Sequence, residues 1–201
     1  MTTSTRTPQA ERTRAMRQRL MEATVACLVE QGWSGTSTTL VAQRAEVSRG
    51  TMLHHFPTKA DLVIAAVEHL SRLRREDLLA AADAMPATGR TRQALAHLAD
   101  HMTGTVFQAA LELWVAARTD ADLRATVEPL EQRVGRETHR LAVRMLGVDE
   151  SGPGVRELVQ ATLDLVRGLA LANTLTDDRR RRERILDAWA DTMDRELGRA
   201  A

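Results

Sequence analysis

Thr36–Val63 reads TSTTLVAQRAEVSRGTMLHHFPTKADLV, and its punctuation predicts two short helices and the start of a long one. Ser37 or Thr38 can cap the first, expected over Thr39–Ala45, because a short hydroxyl side chain accepts from the orphan amides of a first helical turn. Ser48 can cap the second, which runs to about His55. Pro57 forbids its continuation, since proline has no amide hydrogen and its ring clashes with the preceding turn. Thr58 caps the long helix, whose apolar positions Leu62, Ala65, Ala66, Leu70, Leu73 and Leu78 carry it into the low 80s, as far as Met85-Pro86 and Gly89. Upstream, Met16, Leu20, Ala23, Cys27 and Leu28 form one apolar stripe over residues 15–31, and Gly32 ends that helix.

Three helices in the first 60 residues, the second and third short and joined by Glu46-Val47-Ser48, match the helix-turn-helix arrangement, in which one helix braces and the next enters the major groove. Ala42, Ala45 and Val47 let the two short helices approach closely. Ser48, Arg49, Thr51 and His54 fall at the start or on the outward side of the second. Arginine can pair bidentately with guanine and threonine can offer a hydroxyl or a methyl, while Gly50 lets the backbone approach a duplex with no side chain between. Charge agrees: residues 1–60 carry eight Lys or Arg against four acids, a net of +4, which leaves −3 for the remainder. A positive head on a mildly acidic body suits a polyanion, because phosphate neutralisation depends on local charge. Residues 1–13 are expected as a flexible basic arm; Arg6, Arg12, Arg14, Arg17 and Arg19 could enter a flanking minor groove or remain solvated.

Thr36–Val63 resembles the DNA-binding segment of the TetR/AcrR family of transcriptional regulators. Val41-Ala42, Ala45, Val47-Ser48, Gly50, Met52, His55-Phe56, Thr58-Lys59 and Leu62 fall on its pattern in register, and with the preceding helix and Gly32-Trp33 the likeness covers residues 14–74. The resemblance implies that Arg49–His55 is the recognition helix, that Thr38 touches a phosphate, and that Lys59 contacts the backbone from the N-terminus of the long helix. It assigns Ser48, Arg49, Gly50, Thr51, Leu53 and His54 to the same DNA surface. It also implies a homodimer whose last two long helices form a four-helix interface, and a helical effector-binding domain, here residues 75–201. Two positions depart from the pattern. Glu46 stands where the family has glycine, which asks either for a left-handed residue at about 1–2 kcal/mol or for a different turn. Leu53 stands where it has tyrosine, and the chain contains none.

Beyond residue 90 the periodicity stays helical: 91–103, 105–118, 121–146 with Pro129 kinking or restarting it, 155–175, and a last helix opened by Asp178. The expected class is therefore all-α, with about nine helices. In the second module His101, Met102, Phe107, Leu111 and Trp114 are candidate effector-lining residues. Leu158, Leu165, Leu169, Ile185 and Trp189 are candidates for the dimer interface, because 155–175 is apolar nearly all round. Asp164 and Arg167, three residues apart, could form a buried pair, as a specificity contact of that interface or as a polar anchor for a ligand, the interface being favoured.

Several functions are disfavoured. With 201 residues, 43% hydrophobic and 27% charged, the chain can bury a core, and no stretch has the length or apolarity of a membrane span or secretion signal. Cytoplasmic location follows as an expectation. The single cysteine, Cys27, reads as a small core hydrophobe. His97 and His101 are one helical turn apart, but no third metal ligand is legible, and no cofactor is expected. A small helical enzyme using His97, His101, Glu112 or Asp164 finds no phosphate loop, nucleophile elbow or acid–base pair to support it. An interaction protein with a weakened DNA head is the other alternative, and the Glu46 and Leu53 departures keep it open.

Overall fold

The computed structural model describes residues 9–199, which form nine helices and no strand. They are α1 (Gln9–Gly35), α2 (Thr38–Arg44), α3 (Arg49–His55), α4 (Lys59–Asp83), α5 (Arg90–Thr103), α6 (Thr105–Ala117), α7 (Ala121–Leu146), α8 (Val155–Ala172) and α9 (Arg179–Glu196). Arg6 of the expected arm lies outside the described residues. Gln9–Thr13 are helical rather than a flexible arm, a start favoured by the helix-forming Gln9 and Ala10 and by Glu11 in the first turn, where the positive end of the helix favours an acid.

The chain divides into two compact units. One holds the described residues up to Leu70 together with Ala109–Leu130; the other holds Ser71–Gln108 and the described residues from Glu131 onward. In the first, α2 packs on α1 and α3, and the fully buried side chains include Leu20, Leu28, Val41, Met52, Leu62 and Val63. In the second, α5 packs on α8 and α9, burying Leu95, Leu98, Val159, Leu163, Val166 and Met193.

Capping follows local chemistry closely. Ser37 Oγ accepts from the Leu40 amide at 3.2 Å and Ser48 Oγ from the Thr51 amide at 3.0 Å. Thr58 and Asp61 form a reciprocal box, with Asp61 N–H donating to Thr58 Oγ1 at 3.1 Å and Thr58 N–H to Asp61 Oδ2 at 3.1 Å. Asp120 Oδ1 accepts from the Leu123 amide at 3.0 Å, opening α7, and Pro129 is carried inside that helix without a restart. Asp178 is the N-cap residue of α9, its carbonyl accepting from the Arg182 amide at 2.9 Å, while its carboxylate accepts from Arg181 Nη1 at 2.6 Å rather than from an amide of the helix.

The α7 C-terminus is closed by two distant arginines. Arg90 donates to the carbonyls of Met145 at 2.8 Å and Arg144 at 2.9 Å, and Arg199 to Leu146 at 2.8 Å and Gly147 at 3.0 Å. Cationic donors at a helix C-terminus satisfy the orphan carbonyls and face the negative end of the dipole. Between α8 and α9, the Trp189 indole donates to Thr162 Oγ1 at 3.0 Å, and that hydroxyl reaches the Leu158 carbonyl at 2.8 Å.

The candidate DNA-binding surface

The turn between α2 and α3 is built as the spacing requires. Glu46 is the one non-glycine residue with positive φ among the described residues, at 55°, so the left-handed conformation is kept although the side chain is not glycine. The Val47 amide returns to the Ala42 carbonyl at 3.0 Å, and Ala42 and Ala45, each 3% exposed, allow the close approach. Met52 and Phe56 anchor α3 inward, and the Arg17 guanidinium lies 5.3 Å from the centre of the Phe56 ring.

That anchoring turns the opposite side of α3 outward. Ser48, Arg49, Gly50, Thr51 and His54 are exposed, Leu53 is half-buried, and Thr38 is half-buried in the first turn of α2. Arg49 has no ion-pair partner among the described residues. Arg44, by contrast, is held in a two-pronged pair with Glu30, whose carboxyl is pulled below its ordinary range by that hydrogen bond. A methyl group added at Gly50 would meet only Ser48 Oγ at 3.9 Å, so nothing within the chain requires glycine there. Thr51 Oγ1 is 2.7 Å from Ser48 Oγ, which orients both hydroxyls.

Lys59 has an intramolecular role that its spacing did not announce. Its ammonium donates to the Trp33 carbonyl at 2.8 Å and sits 4.0 Å from the centre of the Trp33 ring, and burial lowers its pKa from the ordinary lysine value. Cys27 is fully buried; burial pushes its thiol up, against a smaller opposing pull from Arg44, so it is a core residue.

In the second unit, a cleft of about 390 Å³ is lined by Arg74, Asp77 and Leu78 of α4, His97 and His101 of α5, and Val106 of α6, among others. Of the candidate effector residues, His101 lines it. Met102 and Phe107, 6% and 8% exposed, are core side chains, because the α5 and α6 stripes turn them inward, and Leu111 and Trp114 are half-buried. Burial, then the charge of Arg74, holds the His101 imidazole below its ordinary value. Among the described residues no three His, Cys, Asp or Glu side chains are gathered as a metal site would need.

On α8 and α9, Leu165, Ile185 and Trp189 line a shallow apolar groove flanked by Arg181 and Arg184, and Leu158 is half-buried. Leu169, expected on that face, is 4% exposed and belongs to the chain's own core, because it continues the Val159, Thr162 and Val166 stripe. Burial on more than one side does not hold within one chain: Leu171 is 46% exposed and Leu175 92%. The Asp164–Arg167 pair forms, at 2.8 Å, but Asp164 is exposed, so within one chain the pair is not buried.

Comparison with known proteins agrees with this geometry. Residues 20–66 match the family described as bacterial regulatory proteins, tetR family. The chain is 31% identical over 185 residues to the HTH-type transcriptional regulator CymR of Pseudomonas putida, covering 90% of each protein. Its fold is similar to a TetR-family member from Streptomyces coelicolor A3, with TM-score 0.60 and 23% identity over 87% of this chain and 97% of that one. It is also similar to the transcriptional regulator FadR of Bacillus subtilis, solved in complex with stearoyl-CoA, with TM-score 0.64 and 15% identity over 86% and 95%. The enzyme reading gives way to these likenesses, and with the helix-turn-helix geometry and a relative matched over nearly its whole length, the chain belongs to the TetR family of DNA-binding transcriptional regulators.

Proposed function

We propose that the protein is a homodimeric, cytoplasmic repressor that holds a pseudo-palindromic operator through two copies of α3, one turn of duplex apart, and leaves it when a small molecule occupies the cleft in the second unit. The observation that carries the DNA assignment is the outward face of α3. Arg49 is exposed with no ion pair among the described residues, and Gly50 has no steric duty inside the chain. Both features suit a surface that a duplex completes. Ser48, Thr51, Leu53 and His54 would share that contact, Thr38 would meet a phosphate, and Lys59 would present its remaining N–H groups to another.

The cleft, lined by the polar Arg74, Asp77, His97 and His101 together with the apolar Leu78, Ala81 and Val106, supports an effector of mixed polarity. Release requires that the effector favour the unbound conformation, since equal affinity for two states shifts nothing. For the dimer, the apolar groove of Leu165, Ile185 and Trp189 and the exposed Leu171 support an interface built from α8 and α9.

The deciding experiment titrates the protein against duplex tiles from its own upstream region by fluorescence anisotropy, with scrambled competitor and at two salt concentrations. One tile bound about 10³-fold or more above competitor supports a specific operator. Uniform, weak and salt-sensitive binding to every tile and to a genomic pool counts against it and favours an interaction protein with a weakened head.

A further inference from the structure

We propose that Glu112 of α6 is a positioning residue for DNA binding: its carboxylate holds Trp33, and through Trp33 it fixes the Lys59 ammonium at the N-terminus of α4. Glu112 is the single ionisable residue in the otherwise uncharged α6 sequence TVFQAALELWVAA, and it is half-buried. It has no cationic partner among the described residues; its Oε2 instead accepts from the Trp33 amide at 3.1 Å, across 79 positions of sequence. The α1 helix is interrupted there to meet it. Gly32 adopts φ 65° and ψ 179°, and a methyl group at that position would come within 3.0 Å of Glu112 Oε2. Glycine at 32 thus answers two demands, a left-handed φ and a close approach.

The other side of Trp33 completes the clamp. Its carbonyl accepts from Lys59 Nζ at 2.8 Å and its ring lies under the same ammonium, while the Gly32 carbonyl accepts from Thr36 Oγ1 at 2.8 Å and from the Thr36 amide at 3.1 Å. The Glu112 carboxylate and Thr36 hold the N–H and the carbonyl of one peptide unit, so those bonds polarise it in the same sense, while Lys59 holds the carbonyl of the next unit and the two adjoining peptide planes are fixed together. A lysine side chain left to itself samples many rotamers; held on Trp33, it keeps its remaining N–H groups in one place at the head of α4. This inference rests on the assignment of Lys59 to a DNA phosphate made above.

The test is a double-mutant cycle on the best-bound duplex tile, with Glu112→Ala, Lys59→Gln and the pair. Glu112→Ala is expected to weaken binding about tenfold and to lower the salt slope by roughly one phosphate contact, as Lys59→Gln does, with the double variant no weaker than Lys59→Gln alone. Glu112→Gln, which keeps an acceptor oxygen at the same reach and guards against a variant that fails to fold, should recover at least half of the loss. Unchanged affinity in Glu112→Ala, additive losses, or a glutamine variant as weak as alanine would overturn the clamp. Hydrogen exchange separates this from the DNA assignment. If the wild type binds no tile, the DNA role of Lys59 fails on its own, and the clamp stands or falls on whether Glu112→Ala speeds exchange at the Trp33 amide.

Discussion

The outward sides of α3 and α8 are both left uncovered by the rest of the chain, yet they are made of different material. On α3 the exposed residues are Ser48, Arg49, Gly50, Thr51 and His54; on α8 the first turns expose Arg156, Glu157, Gln160 and Asp164, but the C-terminal part exposes Gly168, Leu171 and Ala172, with Leu175 just beyond. A polar face with an unengaged guanidinium loses little in water and gains most from a polyanion. An apolar face loses free energy for every square ångström left wet, and large exposed apolar patches mark interaction surfaces. The contrast teaches what kind of partner each face suits, and it supports the two proposed above: nucleic acid for the first, a second copy of the chain for the second.

The largest expected effect breaks the apolar side of this comparison. Leu171→Glu places a charge on the exposed face of α8, where the isolated chain tolerates it and an interface would not. The dimer dissociation constant, measured by sedimentation, should rise on the order of 100-fold or more, while the helical signal of the monomer persists. A dimer of unchanged strength would remove α8 from the interface. Next, Arg49→Ala should weaken specific operator binding by about 10- to 100-fold and relax discrimination at one base pair, with dimerisation intact. Equal affinity in variant and wild type would move recognition off α3.

A smaller change sharpens the account of the turn. Glu46→Gly relieves a left-handed φ of 55°, worth about 1 kcal/mol less the chain entropy that glycine adds to the unfolded state. The melting temperature should rise by about 1–3 °C, and a fall would show that the glutamate contributes something the backbone angle does not reveal. Smallest is a pH effect in the cleft. Burial and Arg74 depress the His101 pKa, so the unfolded chain binds a proton that the folded chain refuses. Stability is therefore full above the ordinary imidazole value and declines as pH falls through it, until the folded histidine also protonates. Urea midpoints between about pH 7.5 and 5.5 should drop less in His101→Gln than in the wild type.

How much of this was legible depended on sequence distance. The capping residues Ser48 and Thr58, and Ser37 as one of two candidates, were readable because each bonds an amide three residues on. Asp178 opens α9 as the sequence indicates, but nothing in the pattern shows whether its carboxylate will turn to its own helix or to Arg181. Leu169 and Leu165 share one apolar stretch, and only the packing of α5 against α8 decides which faces inward. Glu112 entered only as a residue of the enzyme alternative, because its partner stands 79 residues away, beyond the reach of any local pattern.

The sequence by itself determined much of the local geometry of the DNA head: caps, the outward side of α3 and the family to which these belong. Periods and caps act over three or four residues, so the code for them is contiguous. Only the tertiary structure decided that Glu46 takes the left-handed turn, that Lys59 rests on Trp33 under the hold of Glu112, and that His101 faces a cleft while Met102 and Phe107 fill the core. Those outcomes follow from packing between segments far apart in the chain, where close approach, burial and partner geometry select among side chains that look alike in a row of letters.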